Sequence, residues 1–117
     1  MGLKGKTKMK SKAELYVIKT LMETNISVKH LGYHYLERCL QIALENKEYL
    51  FSLRKSLYSI VAKEFSTTVD KVEKNMRYSI KRGNIKKMEE LGITANGKIP
   101  SVGTFIKTVA KIIEIKL

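Results

Sequence analysis

The stretch STTVDKVEKNMRYSIKRGN, Ser66–Asn84, decides how the chain is read. At about 100° per residue, Val69, Val72, Met76 and Ile80 fall on one narrow stripe, the side a helix buries. Opposite lie Lys71, Lys74, Asn75, Tyr78, Lys81 and Arg82, with Arg77 at the flank. Thr67 followed three positions on by Asp70 gives a start resembling a capping box, and Thr68 is the other candidate cap. Asp70 and Glu73 sit in the first two turns, where the helix dipole favours acids. The outward set suits DNA: Lys and Arg donate to guanine, Asn pairs with adenine, Tyr reaches a thymine methyl or a phosphate, and a B-form major groove admits one α-helix. A solvated surface helix is the competing reading.

The preceding segment, LYSIVAKEF, ends at Phe65, only about three residues before this helix. Two helices joined by so short a turn have helix-turn-helix spacing, in which the first braces the second against the DNA backbone.

The surrounding chain supplies a helical frame. SKAELYVIKTLMETN reads as a first helix, with Leu15, Ile18, Leu21 and Met22 inward and Ser11–Glu14 as its capping box. ISVKHLG breaks the pattern, with Gly32 as punctuation. GYHYLERCLQIALEN is a second helix burying Leu36, Cys39, Leu40, Ala43 and Leu44 and stopping at Asn46. EYLFSLRKSLYSIVAKEF is a third helical region, broken near Ser52, with Leu53, Leu57, Ile60, Val61 and Phe65 inward. IKKMEELG is a short helix closed by Gly92. SVGTFIKTVAKIIEIKL ends the chain with Val102, Phe105, Ile106, Val109 and Ile113 inward; core fits this stripe better than a dimer contact. The fold class expected is therefore all-α, a compact bundle of about six helices containing a helix-turn-helix. Residues 1–12 form a basic arm of five lysines and no acid, and residues 13–117 form the domain.

Composition agrees. The 117 residues make one domain, and 44% hydrophobic residues suffice for a core. The net charge of +12 opposes compaction unless a polyanion relieves it, with nucleic acid first and an anionic membrane second. One cysteine, Cys39, excludes an intramolecular disulfide, and a reducing cytoplasm fits. No apolar run approaches the roughly 18 residues of a membrane span, and the basic N-terminus lacks the apolar core of a secretory signal. His30, His34 and Cys39 lack a fourth ligand, so no metal or cofactor is expected. His34 and Tyr35 remain candidates for phosphate contact. No Ser/His/acid set, glycine-rich phosphate loop or spaced acid pair points to an enzyme.

The blocks GYHYLERCLQIAL, LYSIVAKEFSTTVDKVEKNMRYSI, RGNI and TFIKTVAKII resemble, in that order, the C-terminal effector domain of the stage-zero sporulation response regulator (protein A) family. The resemblance covers about residues 25–115. It implies a six-helix, helix-turn-helix domain that binds short promoter boxes, often as tandem copies, and regulates transcription in the bacterial cytoplasm. By position, Glu73 and Arg77 match family residues of the recognition helix. Lys71 and Lys74 stand where the family has Arg, and Tyr78 where it has His. Thr67 and Thr68 match the helix start that meets phosphate.

Lys cannot make the two-pronged contact of Arg to guanine, so the preferred box is expected to differ. The helix is expected to run about one turn shorter before Arg82-Gly83-Asn84 than in the family. Asn84 to Leu91 correspond to a surface for the polymerase sigma factor. The family regulator also has a phosphoacceptor receiver, which needs clustered acids around Mg²⁺. Asp70 is the single Asp here, so a stand-alone relative or an excised domain is expected. Two rival functions share the charge: a basic RNA- or ribosome-associated protein, and a decoy that pairs with a full-length regulator.

Overall fold

The second helix organises the molecule. LGYHYLERCLQIALE forms α2 (Leu31–Glu45), which buries Tyr33, Tyr35, Leu36, Cys39, Leu40 and Ala43. Apolar side chains on so much of its circumference mean that neighbours must cover it on several sides. In the computed structural model, which describes residues 11–117, it touches nearly every other element. Residues 1–10 of the expected basic arm lie outside the described residues. The helix before it, α1 (Lys12–Glu23), starts on the expected capping box: Ser11 Oγ accepts from the Glu14 N–H at 3.1 Å, and Glu14 Oε1 accepts from the Ser11 N–H at 2.9 Å.

The inward face of α1 differs from the expected stripe. Val17, Thr20, Leu21 and Thr24 are buried, whereas Leu15 and Met22 are 54% and 61% exposed. Thr24 can be buried because its hydroxyl donates to the Leu21 carbonyl at 2.7 Å, which satisfies the polar atom inside the core. Gly32 is also not punctuation. It lies in the first turn of α2, facing the later helix α4 (Val69–Lys81). A Cβ added there would sit 2.8 Å from the Asn75 carbonyl carbon, and closer still to its oxygen and to Ser79 Oγ. Only a residue without a side chain lets α2 and α4 approach this closely.

Between these helices the chain breaks at Ser52, as expected. A 3₁₀ turn (Lys47–Phe51) precedes it, and a π-helical segment (Leu53–Tyr58) runs directly into α3 (Ser59–Glu64). Leu57 and Val61 are buried and Leu53 and Ile60 half-buried. Tyr58 and Ala62 join this core. Phe65, expected inward, is 41% exposed, with its ring edge-on to Tyr35 at 5.0 Å.

Three helices end in the same motif, in which the residue after the cap turns left-handed and two backbone bonds close the end. Asn25 (φ 63°) ends α1, Ser66 (φ 54°) ends α3 and Gly92 (φ 82°) ends α5 (Ile85–Glu90). At α3 the Thr67 N–H donates to the Ala62 carbonyl at 2.8 Å and the Ser66 N–H to Lys63 at 3.2 Å. That closure leaves four residues, Phe65–Thr68, between α3 and α4, a spacing compatible with a helix-turn-helix.

After α4, Gly83 packs against Thr24 and Ile26, and the Asn84 N–H donates to the Thr24 carbonyl at 2.8 Å. Asn84 then caps α5 by accepting from the Lys87 N–H at 3.0 Å. The last helix, α6 (Val102–Lys116), buries Val102, Phe105, Ile106, Val109 and Ile113 as expected, together with Ala110. The fold is all-α, and the described residues contain six α-helices and no strand.

Gly32→Ala is expected to destabilise the domain by about 2 kcal/mol or more, the cost of overpacking against unyielding atoms. Adding Ser79→Gly should recover little, because the Asn75 backbone remains in the way. Thermal unfolding of the single and double variants checks both outcomes.

Candidate nucleic-acid interface

The helix α4 is packed against α2, α3, α6 and the π-helical segment. Val72, Met76 and Ile80 are fully buried, Val69 is half-buried, and Ser79 is covered where it meets Gly32. Met76 Sδ lies 3.9 Å from Cys39 Sγ on α2. Burial pushes the Cys39 thiol far up, so this sulfur stays protonated and acts as a small apolar group. The N-cap is Thr68, whose Oγ1 accepts from the Lys71 N–H at 3.2 Å. Thr67 is therefore not the cap. Its backbone closes α3, and with Lys71 at the third helical position the expected capping box with Asp70 does not form.

The outward face is cationic. Lys71, Lys74, Lys81 and Arg82 are exposed, and none has a carboxylate within ion-pair distance among the described residues. Tyr78 lies among them at 48% exposure. Two side chains contact its ring: the Arg82 guanidinium lies 5.4 Å from its centroid, and His30 meets it edge-on at 5.3 Å. Asn75 is less available than its position suggested. It is half-buried, and its amide donates to the Lys71 carbonyl at 2.8 Å, folded back along its own helix.

One flank of α4 carries an ion-pair network that no local pattern showed. Arg54, from the π-helical segment, donates to Asp70 at 2.8 Å and also to Glu73. Glu73 lies 3.8 Å from Arg77 as well. Both acids of the helix are thus committed to arginines, and Asp70 and Glu73 leave the outward face without negative charge. Arg77 itself is exposed at this edge. The two partners of Arg54 are 16 and 19 residues away in sequence, so periodicity alone could not pair them.

The preceding helix is tied back in its turn. Arg38 on α2 grips Glu64 of α3 through two parallel bonds, Nε to Oε1 at 2.7 Å and Nη2 to Oε2 at 3.1 Å. This fixes the helix that leads into α4. The other histidine and tyrosine candidates do not join the face. Tyr35 is buried against Phe65, which removes it as a phosphate contact. His34 Nε2 is bonded to the Val28 carbonyl at 2.9 Å. Among the described residues no group of three or more His, Cys, Asp or Glu side chains is placed to hold a metal ion, and no helix is long and apolar enough to cross a membrane.

A family model described as "Sporulation initiation factor Spo0A C terminal" matches residues 17–113. The match spans all of α2 to α5 and most of α1 and α6.

The Arg38 hydrogen bonds hold the Glu64 carboxyl below its ordinary value. A lowered folded-state value gives stability that is present above the unfolded glutamate pKa of about 4.3 and lost as the pH falls through the folded value. Both side chains are over a third exposed, so the effect should stay within about 1 kcal/mol. Glu64→Gln should therefore lower stability at pH 7 but not at pH 3, as read from urea unfolding at the two pH values.

Proposed function

The chain belongs to the Spo0A C-terminal family of DNA-binding effector domains, and from that membership we propose that it is a sequence-specific transcription regulator whose α4 enters the major groove of duplex DNA as the second helix of a helix-turn-helix. The observation that carries this reading is the acid-free outward face of α4, where Lys71, Lys74, Lys81 and Arg82 surround Tyr78. A helix held rigidly on its inner side and cationic on its outer side fits a groove that admits one α-helix.

Within this reading the residues divide by task. Lys71, Lys74 and Tyr78 reach base edges or the phosphates beside them. Arg77 reads a base from the flank. Glu73 orients Arg77 and Arg54, which is how an acid next to DNA becomes useful. Thr67 offers its hydroxyl, and Thr68 its hydroxyl and backbone amide, to a phosphate at the helix N-terminus, while the Thr67 amide stays bonded to Ala62. Lys81 and Arg82 supply attraction that does not depend on sequence. Asn75 contributes only if its amide leaves the Lys71 carbonyl.

The same reading assigns α5 and its cap, Asn84 to Leu91, as a contact for the polymerase sigma factor, and it allows homodimers on tandem boxes. Its DNA target puts the protein in the bacterial cytoplasm. Aspartyl phosphorylation within these residues plays no part, since the single Asp, Asp70, is tied to Arg54 at the start of α4.

Selection from a random duplex library gives the preferred box. Arg77→Ala should then weaken binding to that box by about 1–3 kcal/mol while changing random DNA much less. Lys81→Ala should weaken both alike and lower the salt slope by about 1. Equal losses on both DNAs for Arg77→Ala would remove it as a base reader. Stronger binding to structured RNA than to the selected duplex at physiological salt would favour the RNA-associated rival.

A further inference from the structure

A second surface lies on the far end of α2, away from the DNA-facing helix. A groove of about 330 Å³ runs between the end of α2, the 3₁₀ turn and α6. Leu44, Leu50 and Ala110 line it, and Phe51 stands at its edge. Phe51 is 90% exposed, more than any other large hydrophobic residue described. An aromatic ring held in water beside an apolar groove is the arrangement that interface anchors show before a partner covers them.

The rim is positive. Lys107 and Lys111 are one turn apart on α6, exposed, with no carboxylate within ion-pair distance among the described residues. Lys47, across the groove, is already paired with Glu114. We propose that this groove docks an acidic amphipathic helix of a partner protein. Apolar residues of that helix would cover Phe51 and the floor at i, i+3, i+4 spacing, and Asp or Glu on its flank would meet Lys107 and Lys111.

Charge decides the occupant. A second copy would bring the same lysine rim to the interface, and each copy carries +12. Residues 1–10 of this chain hold four lysines and no acid, so they cannot supply the carboxylates. Position decides what such a partner does. No residue of α3, α4 or α5 lines the groove. Gly32, which seats α4, and Leu44, which lines the groove, are twelve residues apart on one helix, about 18 Å. The partner therefore docks while α4 occupies DNA, as a regulator recruiting a second protein requires.

The test uses the full chain and a fluorescent 18-residue helical peptide with Leu at i, i+3, i+4 and i+7 and Glu on its flanks. Its counterpart carries Lys in place of Glu. In anisotropy titrations the acidic peptide should bind at least tenfold more tightly than the Lys peptide. Phe51→Ser should weaken it at least tenfold without changing thermal unfolding or DNA affinity. The double variant Lys107→Glu/Lys111→Glu should reverse the preference toward the Lys peptide.

Three results would overturn the proposal. The acidic peptide fails to bind, or binds Phe51→Ser as well as the parent protein. Duplex DNA displaces it, which would place it on the α4 face. Sedimentation shows self-association that Phe51→Ser abolishes, which would make a second copy the occupant.

Discussion

The contact between Gly32 and the Asn75 carbonyl is the constraint on which the rest of the structure depends. Two helices normally meet through their side chains, at axial separations of roughly 8–10 Å. Here one residue on α2 contributes none, so the backbone of α4 comes down onto it. The two elements with the densest mutual packing are these two. With Asn75 and Ser79 pressed against Gly32, and Val72, Met76 and Ile80 sunk in the core, α4 has one rotational setting. That setting turns Lys71, Lys74, Tyr78, Lys81 and Arg82 outward together.

Electrostatics then sorts the charges that the packing has placed. A chain at +12 repels itself, yet its acids are not spread evenly. Asp70 and Glu73 serve Arg54 and Arg77 on one flank, and Glu64 serves Arg38 one helix earlier. These exposed pairs add little stability individually. Their consequence is positional: they hold the π-helical segment and α3 to α2 and α4, and they keep carboxylates off the outward face. What remains there is uncompensated positive charge around an aromatic ring that Arg82 and His30 keep in place.

Much of this was legible in the sequence where periodicity was strong. The stripes of α4 and α6, most of α2, the Ser11–Glu14 box, the break at Ser52 and the Gly92 stop all follow from local rules. Gly32 was misread because glycine marks turns far more often than close helix contacts, and its partner lies more than forty residues away. In α1, Leu15 and Met22 looked more apolar than Thr20 and Thr24. A threonine that bonds its own helix loses its polar cost, and hydropathy cannot register that. The end of α3 at Phe65 was readable, but its closure by a left-handed Ser66 was not, since glycine is the usual signal there. At the interface, the helix and its cationic residues were readable. The Arg54 network and the folded-back Asn75 were not, because both depend on contacts that exist only once the chain is folded.

On the proposed function, the α4 face, as oriented by Gly32, is the surface that meets DNA. Amide chemical-shift mapping of the isotopically labelled chain during titration with duplex DNA tests it most directly. The largest changes should cluster from Thr67 to Arg82, while Phe51, Lys107 and Lys111 stay unmoved. Changes centred on α6, or spread evenly over all lysine-bearing surfaces, would contradict it.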